Sequence, residues 1–350
     1  MDTIYKRTDP GNIDMSVISE AGRIIRAGGL VAFPTETVYG LGADALNPAA
    51  ASKIYEAKGR PSDNPLIVHI ADIGSVYEIA ADVTPEAEAL AKRYWPGPLT
   101  MIFKGKDIVP KETTGGLDTV AIRFPSHPVA KAFIASAGGY VAAPSANISG
   151  RPSPTTGDHV FCDMNGRIDM IIDSGYCNIG IESTIIDLSA GTPMMLRPGY
   201  VSEEDLREVI GDIEKDPAVF GNDTSAKPKA PGMKYRHYAP KGEMLIVSGS
   251  KERVRSYIME RIEEKPEGVR LGVLTFSEDA PAFEGADLVA DMGRSDNTDM
   301  TAHRLYDSLR RCDDEDIDII LSEEPCSGRL GPAIMNRLIK AAGHNIIHVD

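Results

Sequence analysis

Tryptophan occurs once in 350 residues, cysteine four times, and aromatic residues make up only 6% of the chain. The cysteines, Cys162, Cys177, Cys312 and Cys326, show no CxxC spacing and no histidine clusters beside them. That argues against a zinc module, and four thiols are too few to staple a chain of this size. No apolar run reaches the ~18 residues that span a bilayer, so no membrane contact is expected. A basic segment leading into an apolar core is missing from the N-terminus, and a cytoplasmic protein is the expectation. GxxxxGK(S/T) does not occur, which excludes a P-loop NTPase. GxSxG is missing too, which weakens a hydrolase reading. Positive charge is in short supply: 37 Lys and Arg stand against 52 Asp and Glu, for a net charge of −15. A broad basic face that coats nucleic acid is therefore not expected, although a small basic pocket is compatible with this balance.

What is present is ordinary globular composition, 42% apolar and 25% charged. At about 100–200 residues per domain, the length suggests two domains. Residues from Lys241 onward carry 14 Lys and Arg against 22 Asp and Glu, so this shorter part is the more acidic per residue. It is the poorer candidate for binding a phosphorylated ligand.

Periodicity predicts helices over Asp14–Ala27, Asn47–Lys58, Thr84–Tyr94, Pro128–Ala137 and Glu203–Ile210. Asn47 and Thr84 read as caps, each followed by proline at the first helical position. Strands are predicted over Leu30–Phe33, Leu66–Ile70, Thr100–Phe103, Thr119–Arg123, Tyr140–Ala143, Met170–Asp173, Thr184–Leu188 and Met194–Leu196. Short strands mixed with helices argue for a mixed α/β or α+β sheet domain over roughly residues 1–215. Residues 216–242 read as a linker, because Lys227-Pro228-Lys229-Ala230-Pro231-Gly232 has no periodicity. Regular strand–helix alternation over 243–350 predicts a smaller, parallel, Rossmann-like α/β domain.

Gly40-Leu41-Gly42-Ala43-Asp44-Ala45 matches GxGxxA, but Pro34-Thr35-Glu36-Thr37 interrupts the strand a dinucleotide fingerprint needs. A backbone turn that requires glycine is the preferred reading there. Lys58-Gly59-Arg60-Pro61-Ser62-Asp63-Asn64-Pro65 puts two cations in a proline-bounded loop at a helix-to-strand junction. It reads as a solvated turn, or as the complement of a triphosphate: a point charge beside a planar fork. Ala143-Pro144-Ser145-Ala146-Asn147-Ile148-Ser149-Gly150-Arg151-Pro152-Ser153 is a second polar loop after an apolar strand, able to cradle phosphate oxygens or simply to turn. Arg123 closes a strand, as a surface residue or as a bidentate clamp for a carboxylate. Glu182-Ser183-Thr184 and Arg197-Pro198-Gly199 add hydroxyls and a cation at strand ends. Together Lys58, Arg60, Arg123, Arg151 and Arg197 are five loop cations in an acidic chain. His69 reads as a hydrogen-bonded core histidine, Trp95 as a packing anchor, and Asp313-Asp314-Glu315-Asp316 as a solvated helix end.

Pro34-Thr35-Glu36-Thr37-Val38-Tyr39-Gly40-Leu41, Lys58-Gly59-Arg60-Pro61, Trp95-Pro96-Gly97-Pro98-Leu99-Thr100, Pro144-Ser145-Ala146-Asn147 and Glu182-Ser183-Thr184 resemble, in order, the YrdC-like threonylcarbamoyl-AMP synthases. The tail around Ala230–Pro240 is similar to the longer, two-domain form of that family. The resemblance implies that L-threonine, bicarbonate and ATP give threonylcarbamoyl-AMP and pyrophosphate. The product would pass to a tRNA threonylcarbamoyl transferase; no stable nucleic-acid binding by this chain is implied. Mg²⁺ is expected with ATP through its phosphates, not on a protein-built metal site.

By the same resemblance, Lys58 and Arg60 are the candidate catalytic cations. Lys58, Arg60, Ser62, Asn64, Ser145, Asn147, Ser153 and Arg197 would hold ATP, with Thr119 near the nucleotide. Arg123 would take the threonine carboxylate, while Thr35, His69, Ser183 and the Ala143 backbone read its amine and hydroxyl. Tyr235, Arg236, His237 and Tyr238 would form a lid that keeps water from the labile product, with Arg236 or Tyr238 touching the nucleotide. Two rivals remain from the residues alone: a non-enzymatic binder of structured RNA, and an NAD-linked dehydrogenase built on Gly40 and Gly42.

Overall fold

The computed structural model describes residues 2–217, 238–325 and 327–349. They fall into two units, the first holding 2–149, 153–178 and 182–217, the second 150–152, 179–181 and the described residues from 238 onward.

Local chemistry sets the helix ends of the first unit. Asn47 Oδ1 accepts from the backbone of Ala49 and Ala50, Pro48 opens the helix Pro48–Lys58, and Gly59 closes it at φ 61°. That left-handed cap costs a glycine nothing and delivers Lys58 and Arg60 at a fixed exit. Thr84 caps the helix Pro85–Tyr94 in the same way. Helices Met15–Arg26 and Pro128–Ser136 pack on each other.

Eleven strands build the first sheet: β1 (Ile4–Arg7), β2 (Val31–Phe33), β3 (Gly40–Asp44), β4 (Ile67–Ile70), β5 (Leu99–Lys104), β6 (Thr119–Arg123), β7 (Tyr140–Ala143), β8 (Met170–Asp173), β9 (Thr184–Asp187), β10 (Met194–Arg197) and β11 (Glu214–Lys215). Their spatial order is β1-β8-β2-β3-β7-β4-β6-β5-β9-β10-β11, mixed parallel and antiparallel. Adjacent residues of a strand point to opposite faces. Val68, Met101, Ile122 and Ile186 accordingly enter the large core cluster. Their neighbours Ile67, Ile102, Ala121 and Ile185, with Leu196, form a smaller one on the other face.

The second unit carries β12 (Glu243–Gly249), β13 (Leu271–Thr275), β14 (Leu288–Asp291), β15 (Ile319–Glu323) and β16 (Ile346–Val349). All pair in parallel in the order β14-β13-β15-β12-β16. Helices Lys251–Glu263, Thr298–Asp314 and Gly331–Ala341 alternate with them, as expected for a parallel α/β unit.

Two expectations change. Gly40–Asp44 is strand β3, not a turn, and pairs with β2 and β7. The glycines are there for space: a Cβ on Gly42 would lie 2.8 Å from Val141 Cγ1, and one on Gly40 3.0 Å from the Phe33 ring. With β3 a strand and no helix opening at Gly42, the dinucleotide reading loses its geometry. Asp313 is buried in the second unit, where its Oδ1 accepts from Lys241 N at 2.6 Å and its Oδ2 lies 3.4 Å from Arg151 Nη2. Only Asp314, Glu315 and Asp316 form the solvated end. Arg151 thus has Asp313 as an ion-pair partner within the second unit. Trp95 does anchor its turn, with Nε1 donating to Leu99 O at 2.7 Å.

Candidate functional site

One row of residues crosses the first sheet. In register, Val141 of β7 faces His69 of β4, His69 faces Arg123 of β6, Arg123 faces Thr100 of β5, and Thr100 faces Ile185 of β9. Arg197 of β10 completes the row opposite Ile185, because the register shifts by one between Met195 and Arg197. That bulge turns Arg197 onto the face carrying Ile185, Ile102, Ala121 and Ile67. His69, Arg123 and Thr100 share this face by alternation.

Side-chain contacts follow the row. Thr100 Oγ1 and Ser183 Oγ lie 2.7 Å apart, Arg197 Nη2 donates to Ser183 Oγ at 3.1 Å, and Arg197 Nε donates to Ser183 O at 3.0 Å. His69, Arg123, Thr100, Ser183 and Arg197 are all buried. Burial, with the charge of Arg123 second, lowers the His69 imidazole from 6.5 to about 3 against the pull of nearby carbonyls. His69 is thus a neutral donor or acceptor at physiological pH, with Nδ1 3.0 Å from Ile67 O. The core-histidine reading holds: His69 is buried and hydrogen-bonded.

Arg123 is the most exposing of these residues in chemical terms. Its Nε and Nη2 are buried and make no hydrogen bond. They form the side-on edge of the guanidinium, the edge that takes a carboxylate in bidentate fashion.

A second cluster lies past the end of β7. Lys58 Nζ, buried, donates to Ser145 O and Asn147 O at 2.5 Å each. Ser145 Oγ donates to Asn147 Oδ1 at 2.5 Å, and Ser149 N donates back to Lys58 O at 2.9 Å. Gly40 bridges to Ser145, and Ala143 closes β7 opposite Ile67, two residues from His69. Lys58 and Arg123 thus stand near opposite ends of the short strand β4. Thr119, half-buried, begins β6 on the Lys58 side.

Other expected residues are less committed. Arg60 Nη2 donates to Asn64 O at 3.3 Å, Ser62 is exposed, and the Asn64 side-chain amide is buried without a hydrogen-bond partner. Ser153 Oγ donates to Glu182 Oε1 at 2.6 Å, so its proton is occupied and only acceptor capacity remains. Thr35 Oγ1 donates to Val38 O and accepts from Thr37 N, which makes it a turn residue. Tyr238 belongs to the second unit, at φ 63° with its ring 5.2 Å from Tyr306. Tyr235, Arg236 and His237 lie outside the described residues.

Sequence reasoning missed Glu36, Thr100, Glu182 and His127 as site neighbours. Thr100 was visible as one strand position before Met101, but its partner Ser183 is 83 residues away. Among the described residues, no group of three or more His, Cys, Asp or Glu side chains could hold a metal ion.

Residues 23–199 match the family model described as Telomere recombination, and residues 201–343 the one described as Threonylcarbamoyl-AMP synthase, C-terminal domain. The threonylcarbamoyl-AMP synthase of Pyrococcus abyssi is 49% identical over 94% of this chain and 95% of its own length. That of Bacillus subtilis is 47% identical over 97% of each. A crystal structure of P. abyssi Sua5 complexed with L-threonine superposes with a TM-score of 0.92 at 47% identity, covering 100% of both chains. The chain belongs to the threonylcarbamoyl-AMP synthase family.

Proposed function

We propose that this chain joins L-threonine, bicarbonate or CO₂, and ATP into threonylcarbamoyl-AMP and pyrophosphate. The observation that carries this reading is the buried row His69–Arg123–Thr100–Ser183–Arg197, with Nε and Nη2 of Arg123 making no hydrogen bond.

Threonine's ammonium and bicarbonate give a carbamate, releasing water and one proton. A carbamate oxygen then attacks the α-phosphorus, the bond to the β-phosphate oxygen breaks, and pyrophosphate leaves. Two anions must meet, so fixed positive charge and positioning do the work and no covalent nucleophile is needed. Arg123 takes the threonine carboxylate. Neutral His69, Ser183, Thr35 and the Ala143 backbone read the amine and hydroxyl.

Lys58, already desolvated and aimed by two carbonyls, and Arg60 meet the phosphates. Ser62, Asn64, Thr119, Ser145, Asn147, Ser153 and Arg197 complete the nucleotide subsite, with Arg236 and Tyr238 as further candidates. Mg²⁺ would arrive on the triphosphate and screen its charge. Residues 1–215 would carry the catalysis, 216–242 the linker and 243–350 a further domain. A tRNA threonylcarbamoyl transferase would consume the product in the cytoplasm; among the described residues no helix is long and apolar enough to cross a membrane.

The test is pyrophosphate release with threonine, serine or no amino acid, with and without bicarbonate. Release that requires threonine and bicarbonate together is expected. Release independent of both, or RNA binding with a steep salt dependence in the absence of ATP and threonine, would replace this reading with another.

A further inference from the structure

Glu36 lies in the turn between β2 and β3, its side chain only 7% exposed, against an Arg123 side chain that is 5% exposed. Oε1 of Glu36 is 2.9 Å from Nη2 of Arg123. Yet neither carboxylate oxygen accepts a hydrogen bond, and neither Nε nor Nη2 of Arg123 donates one. The contact therefore misses the N–H directions: it compensates charge and leaves the Nε and Nη2 hydrogen-bonding capacity of Arg123 unused.

The other titratable groups around this pair are neutral near pH 7. Burial lowers the His127 imidazole below its ordinary value, against the opposing pull of Glu36, and its Nδ1 is buried without a partner. Burial raises the Cys177 thiol against a hydrogen bond with the Thr35 backbone, while the smaller effects of Glu36, upward, and Arg123, downward, oppose each other. His69 is neutral for the reason given above. Within the Arg123–Glu36 contact itself the charge is one plus and one minus.

We propose that Glu36 is a specificity-determining residue that makes the amino-acid pocket select by net charge, admitting a zwitterion and rejecting a simple anion. A zwitterion brings a carboxylate to the unpaired N–H groups of Arg123 together with a compensating ammonium, so the net charge beside the Arg123–Glu36 pair is unchanged. A monoanion on the same edge leaves Glu36 as an uncompensated buried charge, which is costly. The inference rests on the synthase reading and deepens it. Bicarbonate, the ATP phosphates and pyrophosphate all share this site, and Arg123 alone would capture them as readily as an amino-acid carboxylate.

The experiment is calorimetric titration of the full chain with L-threonine and with 2,3-dihydroxybutanoate, which carries a hydroxyl in place of the ammonium. Wild type, Glu36→Gln and Glu36→Asp are compared, with pyrophosphate release measured in parallel. The expected result is a threonine preference of about 100-fold or more in wild type, reduced at least about tenfold in Glu36→Gln and retained in Glu36→Asp. A merely structural role would weaken both ligands together and leave the ratio unchanged; that outcome overturns the proposal. Should Glu36→Gln not fold, wild type decides, since a preference below about tenfold is incompatible with charge selection. Wild type that selects the zwitterion but releases no pyrophosphate overturns the synthase reading alone, whereas turnover with an unchanged ratio in Glu36→Gln overturns this inference alone.

Discussion

Lys58 Nζ donates to the carbonyl oxygen of Ser145 at 2.5 Å, across 87 residues of chain. Its contact with Asn147 O is equally close, so a buried ammonium is aimed by two neutral carbonyls. A phosphate arriving beside it would interact strongly, because water does not compete there.

Replacing Lys58 by methionine keeps most of the stem and removes the charge. We expect kcat/KM for pyrophosphate release to fall by about 10²–10³, the usual loss for a preorganised donor at developing charge. Threonine affinity, measured by calorimetry, should change little. A fall in threonine affinity as large as the fall in turnover would contradict the division of labour between Lys58 and Arg123.

Arg123→Lys retains the charge and loses the planar fork. The expected effect is a rise in the threonine KM of about tenfold or more with the ATP KM nearly unchanged, since a point charge cannot grip a carboxylate side-on. Steady-state kinetics with each substrate varied in turn provides the check.

His69 supplies a pH signature. Its folded-state value of about 3 lies below the ordinary 6.5, so the unfolded chain binds the proton first as pH falls. The stability associated with a neutral His69 is present above about pH 6.5 and is lost as pH drops toward 3, with a slope of at most about 1.4 kcal/mol per pH unit. Denaturant titrations of wild type and His69→Gln between pH 7 and pH 5 should show the variant losing less stability on acidification. Parallel curves would mean that His69 is not held neutral in the fold.

Gly42→Ala tests the close packing of β3. The added methyl would sit 2.8 Å from Val141 Cγ1 and 3.1 Å from Val31 O. Forcing a methyl into such a space costs about 1–3 kcal/mol, and the thermal midpoint of the first unit should drop by a few degrees. An unchanged midpoint would show that β2 and β7 can part without penalty.

Much of the framework was legible in the chain because it is locally determined. Asn47 and Thr84 cap where their oxygens can reach the next turn, and Pro48 and Pro85 follow where no N–H is needed. Thr119–Arg123 and Tyr140–Ala143 have the strand bounds that their apolar runs predict. Lys58, Arg123, Ser145 and Arg197 could be singled out because charges and hydroxyls beside apolar strands are conspicuous in an acidic sequence.

Contacts between distant segments were not legible, because no local preference encodes them. Strand β3 is rich in glycine and small residues, so its propensity points away from a strand; only the lack of room beside Phe33 and Val141 explains it. Arg197 joins the row through a one-residue register shift, and Glu36 meets Arg123 because a turn and a strand end 87 positions later are packed together. Composition and spacing determined the elements and the chemical inventory of this protein. Tertiary packing decided which charges are buried together and which N–H groups go without a hydrogen bond, since desolvation and geometry arise only when remote parts of the chain close on one another.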